Sequence, residues 1–127
     1  MKDRELLAVV EFGGYPNFTP LYQRHGYQVE TVNSVRKAQA WLKTHTPAVV
    51  VTEFNFDAEF RDRMSNLESL MAALQKYSPD SRVIVLYDPN HQYRLDKVQQ
   101  RYPLFGVCTF PVGESDLEPL LEKVKEG

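Results

Sequence analysis

Four apolar runs in this chain end on residues that could do chemistry. Leu6-Leu7-Ala8-Val9-Val10 runs into Glu11-Phe12, and Ala48-Val49-Val50-Val51 into Thr52-Glu53-Phe54-Asn55-Phe56. Val83-Ile84-Val85-Leu86 runs into Tyr87-Asp88, and the run from Phe105 to Cys108 into Thr109-Phe110-Pro111. Glu11 and Glu53 are the carboxylates that could hold a cation or imitate an anion. Six rings share these stretches and the turn after the first: Phe12, Tyr15, Phe54, Phe56, Tyr87 and Phe110. His25, His45 and His91 fall in three different segments, at helix ends or in loops, so surface histidines are expected and no metal site. Cys108 lies inside an apolar run and reads as a small buried residue with an inert thiol. Gly13-Gly14 invites comparison with a phosphate-cradling loop. The fuller Gly-x-Gly-x-x-Gly pattern is absent, so turn chemistry is the simpler reading. There is no Ser–His–Asp order, nucleophile elbow or P-loop, so the reading is no enzyme, with no catalytic residue, metal or cofactor.

The elements that must position these residues alternate in type. The four runs, together with residues 27–32, read as five short strands. Between them, Asn17 caps a short helix with Pro20 in its first turn, and Gly26 stops it. Asn33 or Ser34 caps a helix carrying Val35, Ala38, Trp41 and Leu42. Ser65-Asn66-Leu67-Glu68 reads as a capping box before the stripe Leu67, Leu70, Met71, Leu74. Asp88-Pro89-Asn90 opens a helix with Leu95 and Val98. Ser115 caps the last helix, which turns Leu117, Leu120, Leu121 and Val124 inward. Continuous apolar strands between amphipathic helices call for a parallel sheet covered on both faces. The expected fold is a three-layer, doubly wound α/β domain over residues 1–127, flavodoxin-like, with strand order 2-1-3-4-5. In such a sheet ligands collect at the carboxyl ends of the strands, where the four runs end.

The strand-end residues, taken in order, resemble the receiver (CheY-like) domain of bacterial two-component response regulators over nearly the whole chain. Leu7-Ala8-Val9-Val10 resembles its first strand, which precedes an acidic pair. Gly26-Tyr27-Gln28-Val29 resembles the Gly-aromatic-x-Val opening of its second. Pro47 to Glu53 resembles the run that ends at the phosphorylated Asp, and Val83 to Tyr87 the strand that ends in Ser or Thr. Gly106 to Pro111 resembles the strand that ends in Lys-Pro. The resemblance implies a degenerate receiver. The acidic-pair positions hold Glu11 and Phe12, the acceptor position Glu53, the hydroxyl position Tyr87 and the lysine position Phe110. Phosphoryl transfer is mostly positioning and charge stabilisation, and these replacements remove a Mg²⁺ ligand and the cation. Residues 57–66 also make a longer loop than the family usually has. The Phe110-Pro111 bond is expected to be cis, with the Phe110 ring lying across the strand ends toward Glu53 and disfavouring charge there.

Glu53 then has three readings: a permanent imitation of phospho-Asp, a divalent-ion ligand with Glu11, or a polar strand end in water. The last is the ordinary outcome for such a carboxylate. The rings either fill the vacated pocket or leave an apolar patch for a partner or flat ligand, formed from Tyr15, Phe54, Phe56 and Phe110. Strand alternation splits Phe54 from Glu53, so at most some of the rings converge. The leading expectation is a phosphorylation-independent signalling and interaction domain that meets another signalling protein, with no output domain in the chain. The alternative is a small ligand or divalent metal at the strand-end pocket. A weak homodimer through residues 90–125 is also expected, joining Arg94, Lys97 and Arg101 to Glu114, Glu118 and Glu122.

Composition narrows the rest. Of 127 residues, 43% are hydrophobic and 25% charged, ordinary for a folded domain and unlike a disordered chain. A net charge of −2 offers nucleic acid no basic face. One cysteine excludes an internal disulfide framework. No apolar run approaches the roughly 18 residues of a membrane span, and no signal peptide is visible, so a cytoplasmic protein is expected.

Overall fold

A computed structural model describes residues 4–54 and 66–126 of the chain. Five strands alternate with helices: β1 (Arg4–Val9), α1 (Thr19–Arg24), β2 (Tyr27–Val32), α2 (Val35–Leu42), β3 (Val49–Glu53), α3 (Asn66–Tyr77), β4 (Arg82–Tyr87), α4 (Gln92–Arg101), β5 (Gly106–Thr109) and α5 (Glu114–Glu126). A single 3-10 turn, Pro89–His91, leads into α4. The strands form one sheet in the order β2-β1-β3-β4-β5, every neighbouring pair parallel. This is the expected doubly wound order.

Alternation along the buried strands divides the core in two. Leu6 and Ala8 of β1, Val49 and Val51 of β3, and Ile84 and Leu86 of β4 face α1 and α5, meeting Leu21, Tyr22, Leu117 and Leu121. Leu7 and Val9, Val50, and Val83 and Val85 face the opposite way, against Leu42 of α2, Leu70 and Leu74 of α3 and Leu95 of α4. Burying a leucine of this kind contributes about 1.5–3 kcal/mol relative to leaving it exposed, so apolar runs with no polar alternation are what both faces need. After β1 the chain winds to one side, into β2, and then returns to the other, into β3. The loops at the carboxyl ends of β1 and β3 therefore part and leave a crevice, and Glu11 and Glu53 stand at its two lips.

The helix starts are partly as expected. Ser34 accepts a hydrogen bond from the Lys37 N–H at 3.1 Å and caps α2. Asp88 caps the 3-10 turn through the Asn90 N–H at 2.9 Å. Asn17 is not the cap of α1: Phe18 holds that position, while the Asn17 side-chain Oδ1 accepts from the Thr19 N–H at 3.0 Å. Ser115 does not cap α5. The helix begins one residue earlier, and Asp116 reaches back to the Gly113 N–H at 2.8 Å, which it can do because it lies three residues along. The capping-box reading at Ser65 lies outside the described residues, as do residues 57–65 of the long loop. Gly26, at φ +89°, ends α1 in a conformation that a residue with a Cβ rarely takes.

Candidate functional site

The crevice is closed by the chain itself. Glu53 is only 2% exposed, although it ends a strand. Its carboxylate lies on the α1–α5 side of the sheet, two residues on from Val51, and is met there by the loop that follows β1. Three consecutive backbone N–H groups donate to it: Glu11 at 3.1 Å and Gly13 at 3.3 Å to Oε2, and Phe12 at 3.1 Å to Oε1. The Tyr15 hydroxyl adds a fourth donor, 2.8 Å from Oε2. Successive N–H groups pointing inward form an anion-binding nest, and here the anion is the chain's own side chain. Gly13 and Gly14 make the nest possible: at φ +70° and +82° they turn the loop back so that Tyr15 comes over the strand ends.

Further residues fasten this arrangement. Asn66, the first residue of α3, donates from its side-chain amide to Glu11 Oε1 at 2.6 Å and to the Glu53 backbone carbonyl at 2.7 Å. The Tyr15 ring stacks between Phe18, at 6.1 Å, and Phe110, at 5.7 Å. Burial, and then the hydrogen bond to Glu53, push the Tyr15 phenol well above its ordinary range, so it stays a donor.

Several expectations are corrected here. Glu53 is not a water-facing strand end, because the loop supplies enough donors to take a carboxylate out of water. Glu11 gives its N–H to Glu53, and its Oε1 accepts from Asn66. The Phe110-Pro111 bond is cis, as expected. Its ring stacks on Tyr15, whose hydroxyl donates to Glu53, so a hydrogen-bond donor next to that ring reaches the carboxylate. Phe12 does not fill the pocket: with its N–H turned in, its side chain is 80% exposed. Phe54 does not join the patch. Alternation sends it to the other core, buried and edge-on to His91. Phe56 lies outside the described residues. Among the described residues of the expected patch, Tyr15 and Phe110 are brought together, lining a depression with Gly13, Gly14, Pro16 and Pro111. Tyr87 is buried and hands its hydroxyl to Gln92 at the start of α4.

The other candidates divide. His45 stacks on Trp41, ring centroids 4.1 Å apart. Cys108 is buried, and burial pushes its thiol up to about 11, leaving it unreactive as expected. His25 is not a surface histidine: its side chain is 6% exposed, packed beside Glu118 and Glu122 of α5. Nothing in the sequence marks Asn66 as a site residue, since the capping-box pattern accounts for it, whereas Gly13-Gly14 do form the turn expected of them, at φ +70° and +82°.

No family model matches the chain, and no curated protein matches it in sequence. Solved structures do. A response regulator receiver domain protein from Clostridium thermocellum superimposes with a TM-score of 0.74 at 17% identity, covering 97% of this chain and 94% of that one. The chemotaxis response regulator CheY4 of Vibrio cholerae gives 0.73 at 19% identity, covering 97% and 99%. A CheY-like receiver domain protein from Methanospirillum hungatei gives 0.73 at 16% identity, covering 98% and 96%. The fold is that of a response-regulator receiver. At these identities the likeness is one of fold. On this receiver scaffold the end of β3 carries Glu53, the loop after β1 carries Glu11 and Phe12, β4 ends in Tyr87, and the cis bond after β5 belongs to Phe110. Among the described residues no helix is long and apolar enough to cross a membrane.

Proposed function

We propose that this chain is a non-catalytic signalling domain that uses the receiver scaffold without phosphorylation, as a degenerate receiver that meets another signalling protein. The observation that carries the reading is the enclosure of Glu53. A carboxylate has about four acceptor positions, and here three loop N–H groups and the Tyr15 hydroxyl draw on them. An acceptor of phosphoryl groups needs an oxygen open to in-line approach, with cations to offset the charge that develops. Phe12 and Phe110 bring no charge to that place. Glu53 acts instead as a built-in anion, holding the loop after β1 in one arrangement. This favours the permanent-imitation reading of Glu53 over the metal-ligand one. The surface presented to the partner is the aromatic ledge of that loop: exposed Phe12 with the half-buried rings of Tyr15 and Phe110 beside Pro111.

The test is phosphate chemistry. Incubation with acetyl phosphate and Mg²⁺ is expected to leave the intact mass unchanged, and beryllofluoride with Mg²⁺ to leave the amide spectrum unchanged. Phe110→Lys alone is expected to restore neither, since Phe12, Glu53 and Tyr87 remain. A phospho-adduct on Glu53 would overturn the proposal. The alternative, a small ligand or divalent ion at the strand ends, has the depression beside Tyr15 in its favour. A ligand at about a hundred times its Kd stabilises a fold by roughly 2.7 kcal/mol, so a thermal-shift screen of ions and metabolites separates the two readings.

The proposed dimer through residues 90–125 is at most weak. Several of the charges it would join are engaged within one chain: Arg24 pairs with Glu114 at 2.7 Å and Arg101 lies 3.8 Å from Glu68. Exposed pairs of this kind contribute about 0.2–1 kcal/mol. Sedimentation at rising protein concentration should show weak association that fades with added salt. A strict monomer at high concentration removes the dimer.

A further inference from the structure

Away from the strand ends, the end of α1 meets α5 in a way that no part of the proposed function uses. His25 follows the last residue of α1, and its side chain is 6% exposed. Its Nε2 lies 3.7 Å from Glu118 Oε1 and its Nδ1 3.7 Å from Glu122 Oε1. Both distances exceed a hydrogen bond, and Nδ1 is buried with no hydrogen-bond partner. Glu118 and Glu122 are four residues apart on α5, so one turn brings both carboxylates to the same face. Each remains about half exposed. One ligand atom from each of the three residues lies within 4.8 Å of the other two.

We propose that His25, Glu118 and Glu122 bind a divalent transition-metal cation of zinc's class, which clamps the end of α1 to α5. Ligand atoms at zinc distances of about 2.0–2.1 Å with tetrahedral angles stand roughly 3.4 Å apart; here one ring nitrogen lies 3.7 Å from one carboxylate, the three ligand atoms lie within 4.8 Å of one another, and the half-exposed glutamates are free to close the rest. The nitrogen ligand selects this class over Mg²⁺ and Ca²⁺, which take oxygen. One neutral imidazole with two carboxylates carries two negative charges, which a dication balances. Bound at Nδ1, the cation gives that orphaned nitrogen a partner, and the exposed side of the glutamates leaves room for water as a fourth ligand. The nearby Arg24 guanidinium is held by Glu114 at 2.7 Å and does not compete for these carboxylates. Cys108, buried and with its thiol pushed up to about 11, offers no competing thiolate.

Zinc chloride titrated into the whole chain near neutral pH, followed by calorimetry, is expected to show one equivalent bound and a rise in Tm. Cobalt in its place should give the visible absorption of a nitrogen- and oxygen-ligated site. Glu118→Gln with Glu122→Gln, both about half exposed and so harmless to folding, should weaken binding by about tenfold or more. His25→Gln should abolish the cobalt spectrum. Equal binding by the double glutamine variant, or no binding at roughly millimolar zinc, overturns the site.

Discussion

Glu53→Ala lowers stability by about 2–4 kcal/mol, which in a domain of this size is a fall in Tm of roughly 10 °C. The side chain is buried and accepts from the N–H groups of Glu11, Phe12 and Gly13 and from the Tyr15 hydroxyl. Hydrogen bonds to a charged acceptor contribute about 1.5–3 kcal/mol each but are not additive. After the change, three inward N–H groups and a phenol share a space with no acceptor, and the loop must open to water. Glu53→Gln is expected to lose nearly as much, because its amide group turns a donor toward donors. Glu53→Asp, one methylene shorter, retracts the carboxylate from the nest and should fall between. Thermal unfolding followed by circular dichroism reads all three. A change within about 0.5 kcal/mol, the range of an ordinary surface substitution, would mean that the loop does not depend on this anchor.

Alkali is the second large effect. Cys108, ordinarily near 9.0, is pushed up to about 11 by burial and then by Asp116. Tyr15 and Tyr22 are raised above their ordinary 10.0, chiefly by burial. Each group keeps its proton in the folded chain at a pH where the unfolded chain has released it. The folded state then binds more protons, so stability declines as pH rises. The contribution is intact below pH 9.0 and is lost from Cys108 between 9.0 and about 11. Both tyrosines add to the loss above 10.0. One such group accounts for about 1.4 kcal/mol per pH unit, so Cys108 alone removes roughly 2–3 kcal/mol by the end of its window. Urea unfolding across this range should show a slope that steepens above pH 10.0, where the tyrosines join. Cys108→Ala should remove the early part of the slope and Tyr15→Phe some of the later part. Stability that stays level up to pH 10.0 is the contrary result.

Much of the architecture was legible in the residue order. Continuous apolar runs such as Leu6 to Val10 and Val83 to Leu86, short and containing β-branched residues, read as strands buried on two faces, and helical stripes such as Leu67, Leu70, Met71 and Leu74 supply the covers. Strand periodicity is local, and it also told Glu53 from Phe54, which do point to opposite cores. That Glu11 and Glu53 would stand at neighbouring strand ends followed from parallel pairing, and the cis bond at Phe110-Pro111 from the resemblance. What those residues do there was decided by tertiary structure. A carboxylate at the end of a strand is solvated or buried according to who meets it, and the donors that meet Glu53 come from a loop some forty residues away. Backbone N–H groups carry no residue type, so no sequence pattern marks them; only the left-handed turn at Gly13 and Gly14 betrays where the loop will fold back. His25 likewise reads as a surface residue because it falls at a helix end. Its neighbours in space, Glu118 and Glu122, arrive with the last helix, and burial and charge are properties of that packing, not of the local chain.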